Sequence, residues 1–382
     1  MSQIELTGVT AAGGRRRLAW RSAVLASCLV TAAVVAGRAR PQAAMQEPTA
    51  ALSAQRLARG EYLVRIAACN DCHTPWTMGE AGPAPDMTRM LSGHPAALTM
   101  PPPPSLLLPW IASASATNTA WASALGVAFA SNLTPHATGL GGWTPQQFVA
   151  AMRTGRHRGI GRQILPPMPV AALRRMTDED LVSIFTYLRS VPAIDNAVPE
   201  AIVASGSAAP APPFDPSSLR SPAQPGADPV ARGRYLVEVI GCGDCHTPNR
   251  LGDKGLEPDP TRVLAGYPAS EKVPAARPPE GPWVMHLTAT QAASGPWGIS
   301  FAANLTPDEA TGLGAWTAAQ FIDSLRQGRH QGRGRTLLPP MPWPAFAQMT
   351  DADLTAVFAY LRTLPKVRNK VPDPVVAAPA GP

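Results

Sequence analysis

The chain has 382 residues, of which 45% are hydrophobic, 15% are charged and 44 are proline, with a formal net charge of +7. That is enough length for two or three domains and enough apolar content for real cores. The charge does not argue for nucleic acid. Residues 1–44 hold Arg15, Arg16, Arg17, Arg21, Arg38 and Arg40 against Glu5, and without them the net charge is +2.

In chain order, residues 1–44 read as an export signal. Arginines precede Ser22–Gly37, a sixteen-residue stretch without charge. A cleaved signal peptide is the first reading. An uncleaved N-terminal anchor through residues 22–37 is the second, although a span needs ~20 apolar residues. Leu25-Ala26-Ser27-Cys28 resembles a lipoprotein box, but the apolar run continues past Cys28 to Val35.

A first helix is predicted from about Ser53 to Cys69, with Leu63, Ile66 and Ala67 on its apolar stripe. CNDCH follows at Cys69–His73. A long Pro-rich insert, 74–131, shows no convincing alternation and is predicted to be loop. A second helix is predicted from Thr144 to about Arg153. Then come an arginine cluster (Arg153, Arg156, Arg158, Arg162) and Leu165-Pro166-Pro167-Met168-Pro169. A third helix follows Thr177, with Leu181, Ile184, Phe185 and Leu188 on one side.

The same order returns at an offset of 173. ARGEYLV at Ala58 matches ARGRYLV at Ala231, and Trp110 and Trp143 match Trp283 and Trp316. CNDCH matches CGDCH at Cys242–His246, Met168 matches Met341, and Leu181–Leu188 match Leu354–Leu361. The NLTP segments at Asn132 and Asn304 need a one-residue gap. The units are placed at 50–195 and 228–370. Residues 196–227 are a Pro/Ala-rich linker, and 371–382 a disordered tail. Gly60 and Gly233 precede the Cys-x-x-Cys-His motifs at a point where a second helix can approach closely, most plausibly the third.

Cys-x-x-Cys-His is the attachment motif of c-type haem. Cys69 and Cys72, and Cys242 and Cys245, stand three apart on a helical turn, so each pair can reach two carbons of one porphyrin. His73 and His246 can then ligate iron. Met168 and Met341, each 95 residues on and flanked by prolines, are the candidate opposite ligands. Zinc would need a fourth local ligand, and a redox thiol pair a βαβ context. His157 and His330 are in register and offer a bis-histidine alternative. Met176 and Met349 look like packing residues, and His94, His136 and His286 like surface histidines. Some of the arginines could pair with propionates, others could form a docking face for an acidic partner.

The Gly-x-Tyr-Leu-Val…Cys-x-x-Cys-His-Thr-Pro, Asn-Leu-Thr-Pro…Gly-Leu-Gly-x-Trp-Thr and Leu-Pro-Pro-Met-Pro segments resemble the cytochrome c subunits of bacterial membrane-associated alcohol, aldehyde and gluconate dehydrogenases. The resemblance implies an all-α fold of two tandem cytochrome c domains holding two covalent haem c groups. It implies iron ligation by His73 and Met168, and by His246 and Met341. Those subunits commonly carry three haem domains and a membrane-binding segment, so quinone reduction is not carried over.

The expected function is electron transfer, not catalysis, from a periplasmic dehydrogenase toward another cytochrome or a terminal oxidase. Membrane association is expected only through the N-terminus. A dihaem peroxidase-type enzyme is the alternative, and a sensor the third. A peroxidase needs an open iron position, whereas both units here carry the same Met loop.

Overall fold

The computed structural model describes residues 50–80, 82–204, 221, 224, 226–253 and 255–377. The leader, Cys28 and most of the expected linker lie outside them. Residues Ala50–Pro382 form one compact unit.

The expected helices are present. Helix α1 spans Ala50–Ile66 and α2 Cys69–His73, and between them Ala68 takes a left-handed conformation at φ 54°. The expected single helix is therefore two, with the haem motif on its own turn. Helix α3 spans Pro145–Thr154, closed at its start by a Thr144/Gln147 capping box. A short α4 spans Val170–Leu173, and α5 spans Asp178–Leu188, its first turn capped by Thr177. The second half repeats them as α6 Pro229–Val239, α7 Cys242–His246, α8 Ala318–Gln327, α9 Trp343–Phe346 and α10 Asp351–Leu361. Gly241, at φ 75°, stands where Ala68 does.

Helix α1 crosses α5, and α6 crosses α10. Both crossings need a glycine. A Cβ on Gly60 would overlap the Ser183 carbonyl and one on Gly233 the Ala356 carbonyl. The close approach expected at these glycines is thus to the third helix of each half. The apolar stripes meet there: Leu63, Ile66, Leu181, Ile184, Leu188 and their counterparts Leu236, Val239, Leu354, Val357 and Leu361 are buried in one continuous core.

The all-α expectation is overturned, because the structure is mixed α/β. The Pro-rich inserts are not loop throughout but carry strands. In the first half, β1 Trp76–Gly79 and β2 Gly82–Pro85 form a hairpin, and β3 Trp110–Ser115, β4 Ala120–Ser123 and β5 Gly126–Phe129 a meander. Strand β6, Ile202–Val203, lies on β5 within the expected linker. In the second half these become β7 Asn249–Gly252, β8 Gly255–Pro258, β9 Trp283–Thr288, β10 Ala292–Gly295, β11 Gly298–Phe301 and β12 Val375–Val376. The meanders join edge to edge through β3 and β9 in an eight-stranded sheet, ordered β12-β11-β10-β9-β3-β4-β5-β6. At the seam Ser113 faces His286, its own counterpart, with Oγ and Nδ1 2.8 Å apart.

The expectation failed for a physical reason. Strands β3, β4 and β10 are rich in Ala, Ser and Gly, which give little β-propensity signal, and β10 and β11 are buried on both faces. Period-two alternation is then absent. His94 and His286, expected at the surface, are fully buried. His94 binds Thr119 and the Leu98 carbonyl within the same layer.

Candidate haem-binding site

In each half the residues singled out from the sequence line one continuous cavity of about 2400 Å³. Cys69, Cys72, His73 and Met168 line it from the first half, and Cys242, Cys245, His246 and Met341 from the second. On α2 and α7 both cysteines and the histidine share five residues of helix, as the i, i+3 argument requires.

The histidine rings are fixed from behind. His73 Nδ1 lies 2.8 Å from the Ser131 carbonyl, and His246 Nδ1 lies 2.8 Å from the Ala303 carbonyl. A carbonyl only accepts, so Nδ1 carries the proton and Nε2 keeps its lone pair. That is the state a metal-ligating imidazole needs. Burial lowers both histidine pKa values, and the carbonyl bond opposes the shift.

The NLTP segments hold those carbonyls in place. Asn132 Oδ1 accepts from the Thr134 amide (2.9 Å) and hydroxyl (2.8 Å), and its Nδ2 donates to the Ile194 carbonyl at 2.9 Å. Asn196 Nδ2 donates to the Ser92 and His94 carbonyls at 2.7 and 2.8 Å. Asn304, Thr306 and Asn369 repeat the pattern. The residue before each NLTP asparagine supplies the carbonyl behind the histidine. Sequence reasoning used NLTP only as a landmark; its fixed place in both halves was the available signal.

The four cysteines of the two motifs are free. Burial pushes Cys69, Cys72 and Cys242 up to about 12 and Cys245 up to about 11. Thiols raised in this way are poor redox nucleophiles. Among the described residues no cluster of three or more His, Cys, Asp or Glu side chains is arranged to hold a metal ion. The raised thiols disfavour the thiol-pair reading. Neutral thiols beside a fixed imidazole, facing apolar cavity space, fit haem c.

Met168 and Met341 line the same cavity and follow cis Pro166-Pro167 and Pro339-Pro340 bonds. The two loops are not tied alike. Ser300 Oγ donates to the Pro339 carbonyl, and Ala128 stands at the corresponding position in the first half. Trp343, two residues past Met341, lines the cavity and stands where Val170 does in the first half. Met176 and Met349 are buried packing residues, as expected.

The arginine cluster divides. Arg153 is buried and binds the Arg174 and Met176 carbonyls and Asp178. Arg326 does the same with the Ala347 and Met349 carbonyls and Asp351. These two brace the fold and are unavailable to a propionate or a partner. Arg162 pairs with Glu200 at 2.8 Å, and Arg158 lies over the Trp143 ring. His157 and His330 pack edge-on against Trp143 and Trp316, at 4.8 and 4.9 Å between centroids. Burial and nearby arginines keep both rings lowered in pKa.

Residues 230–365 match the cytochrome c family. The chain is 28% identical over 89% of its length to the fructose dehydrogenase cytochrome subunit of Gluconobacter japonicus, covering 59% of that protein. It is 29% identical over 64% of its length to the cytochrome c subunit of a quinone alcohol dehydrogenase from Gluconacetobacter polyoxogenes, covering 49% of it. A dihaem c-type cytochrome of Cereibacter sphaeroides is 26% identical over 60% of the chain. The chain thus spans about half the length of the dehydrogenase subunits it matches. Among the described residues no helix is long and apolar enough to cross a membrane.

Proposed function

We propose that this cytochrome c relative is a dihaem electron carrier that takes electrons from a dehydrogenase and passes them toward the respiratory chain. The observation that carries the reading is duplication of the whole site on one cavity: two neutral cysteine pairs, two imidazoles held by backbone carbonyls and two proline-framed methionines. The units are 50–195 and 228–370. Cys69 and Cys72, and Cys242 and Cys245, are the covalent anchors. His73 and Met168, and His246 and Met341, would hold the two haem irons. Bound haem c supplies a one-electron ferric/ferrous couple at each site.

The chain's own residues do the rest. Ser131 and Ala303 hold the imidazole tautomers, and the Ser92–His94 and Ala265–Tyr267 carbonyls anchor Asn196 and Asn369 behind them. Leu140, Phe148, Leu173 and Ile184, with Leu313, Phe321, Phe346 and Val357, wall the cavity with apolar side chains and exclude water. Low local polarity opposes the ferric charge, and a thioether ligand favours ferrous iron, so both features raise the potential.

Helix α4, just past Met168, packs on α6, and Ala172 approaches Gly241 beside Cys242. In mirror fashion α9, just past Met341, packs on α1. The segment after each methionine is therefore built against the helix that leads into the cysteine turn of the other half, which supports transfer within the chain. Residues 1–44 would act as the export leader or anchor and place the protein in the periplasm, with another cytochrome or terminal oxidase as acceptor.

The test is haem stoichiometry and redox behaviour of the exported protein. Two haems per chain that resist acid-acetone extraction, fast reversible one-electron exchange and negligible peroxide turnover are expected. One haem per chain, extractable haem, or peroxide turnover at enzyme rates would sink the reading.

A further inference from the structure

The two halves share a fold and a cavity, but their rims carry different charge. In the first half the rim consists of the 156–162 loop and the segment 193–200. Arg162 there is held by Glu200, Arg158 lies on Trp143, and Ile160 is 90% exposed at the loop tip. The neighbouring segment reads Ala193-Ile194-Asp195-Asn196-Ala197. In the second half Arg333 replaces Ile160, and the segment reads Lys366-Val367-Arg368-Asn369-Lys370.

These cations sit at the cavity. Arg335, His330, Lys370 and Asp373 line it directly. Lys366 bonds Glu309, another lining residue, at 3.1 Å, and Arg368 acts electrostatically on the adjacent Asp308. Arg329, Arg333, Lys366, Arg368 and Lys370 are all exposed. Among the described residues no ion pair engages Arg329, Arg333, Arg335, Arg368 or Lys370. Six cations thus face three carboxylates (Asp308, Glu309, Asp373) at this rim, against three facing two at the other.

The register makes the contrast informative. Asn196 and Asn369 are buried in identical hydrogen bonds, so the residues on either side of each point outward from the same scaffold. Folding fixes the asparagine and leaves its neighbours open to variation. One half places Ala, Asp and Ala there and the other Lys, Arg and Lys. Stability does not require such a cluster, since unpaired like charges repel. An oriented encounter does: a basic rim around a redox site steers a partner whose own site is ringed by carboxylates.

Resting on the electron-carrier reading, we propose that the second-half rim, formed by Arg329, Arg333, Arg335, Lys366, Arg368 and Lys370, is the docking surface for a redox protein with an acidic face. The first-half rim serves a partner that does not rely on charge. The chain then has a direction, with protein docking by charge at one end only.

The test uses the full dihaem protein and two probes, ferricyanide and an acidic blue-copper protein, followed by stopped-flow at low and high salt. The variant Arg333→Gln/Lys366→Gln/Arg368→Gln leaves every cavity-lining residue in place. It is expected to slow exchange with both probes roughly tenfold at low ionic strength and to flatten the salt dependence. Transplanting the basic run by Ala193→Lys/Asp195→Arg/Ala197→Lys is expected to restore the rate when added to that variant. Haem content and midpoint potentials, measured alongside, should stay unchanged. Unaltered rates in the first variant, with wild-type exchange still fast, overturn the docking surface and leave the carrier reading intact. A wild type that exchanges electrons with neither probe overturns the carrier reading, and the docking surface with it.

Discussion

The Tyr62 hydroxyl donates to Asp353 Oδ2 at 2.5 Å across 291 residues of sequence, and Tyr235 repeats the bond to Asp180 Oδ2 at 2.6 Å. Each aspartate is also gripped within its own half by a two-pronged arginine, Arg59 on Asp180 and Arg232 on Asp353. Each tyrosine oxygen in turn accepts from the backbone amide of the residue capping the opposite helix, Thr350 or Thr177. The two halves are therefore joined by a reciprocal polar clasp at the starts of α10 and α5.

Removing either tyrosine hydroxyl should loosen that clasp. Tyr62→Phe and Tyr235→Phe each take one donor from a charged acceptor, worth about 1–2 kcal/mol after the arginine that remains. The denaturation midpoint should fall for each and fall further for the pair. A double variant as stable as wild type would show that the clasp holds nothing.

The clasp should have a pH window. Burial alone would raise the Asp353 pKa, but the bonds from Arg232 and Tyr62 outweigh it and hold the carboxyl below its usual range. Stability from this group is present above the ordinary carboxylate pKa and drains away as pH falls through the depressed folded value. Burial and the neighbouring aspartate raise the Tyr62 and Tyr235 pKa values. Their contribution is complete below the ordinary tyrosine pKa and is lost as pH climbs through the raised folded one. Unfolding free energy should thus decline below pH ~4 and above pH ~10, and both declines should shrink in the double phenylalanine variant.

Gly60→Ala and Gly233→Ala should be among the most damaging single changes, costing about 4 kcal/mol or more. The added methyl group meets backbone carbonyls of α5 or α10, which cannot rotate away. Folding yield and thermal unfolding report the effect, and near-wild-type melting would contradict the helix crossing.

Asn132→Ala should damage the first site from outside it. The change leaves the Thr134 amide and the Ile194 carbonyl without their bonds and frees the backbone that presents the Ser131 carbonyl to His73. Destabilisation of about 2–4 kcal/mol is expected, with a shift in one of two midpoint potentials. Asn304→Ala should move the other potential. A purely structural asparagine would lower stability and leave both potentials unmoved.

Met168→Ala and Met341→Ala should each remove about half of the absorbance band that marks thioether-ligated ferric haem. Full retention in both variants would point to other ligands. Absence of the band in wild type would favour His157 and His330.

The sequence made the helices and the chemistry legible for different reasons. Helices α3 and α5 carry capping residues and apolar spacing, and α5 carries early acids as well, all of which local physics decodes. Cys-x-x-Cys-His needs no fold to be recognised. The sheet was hidden because Ala112, Ala114, Ala120, Ala122, Ala292 and Ala293 gain strand structure from their neighbours in space. The seam at Ser113 and His286 joins residues 173 positions apart, and no local window contains such a pairing. His94 looked like a surface residue because a lone histidine in a polar loop carries no sign that Thr119 and Leu98 will enclose it.

Strand pairing at Ser113 and His286 has a consequence for ancestry. The register is its own mirror image: Ala112 opposes Leu287, Ala114 opposes Met285, and the two central residues hold the same position in their repeats. The tyrosine–aspartate bonds obey the same symmetry. A single repeat would offer a copy of itself both this strand register and the tyrosine–aspartate bonds, which is the isologous geometry of a homodimer. Joining the copies in one polypeptide makes the pairing unimolecular and independent of concentration. It also releases equivalent positions from the obligation to be identical. A hydroxyl now meets an imidazole at the axis, where an unfused ancestor would have had to face a residue with itself.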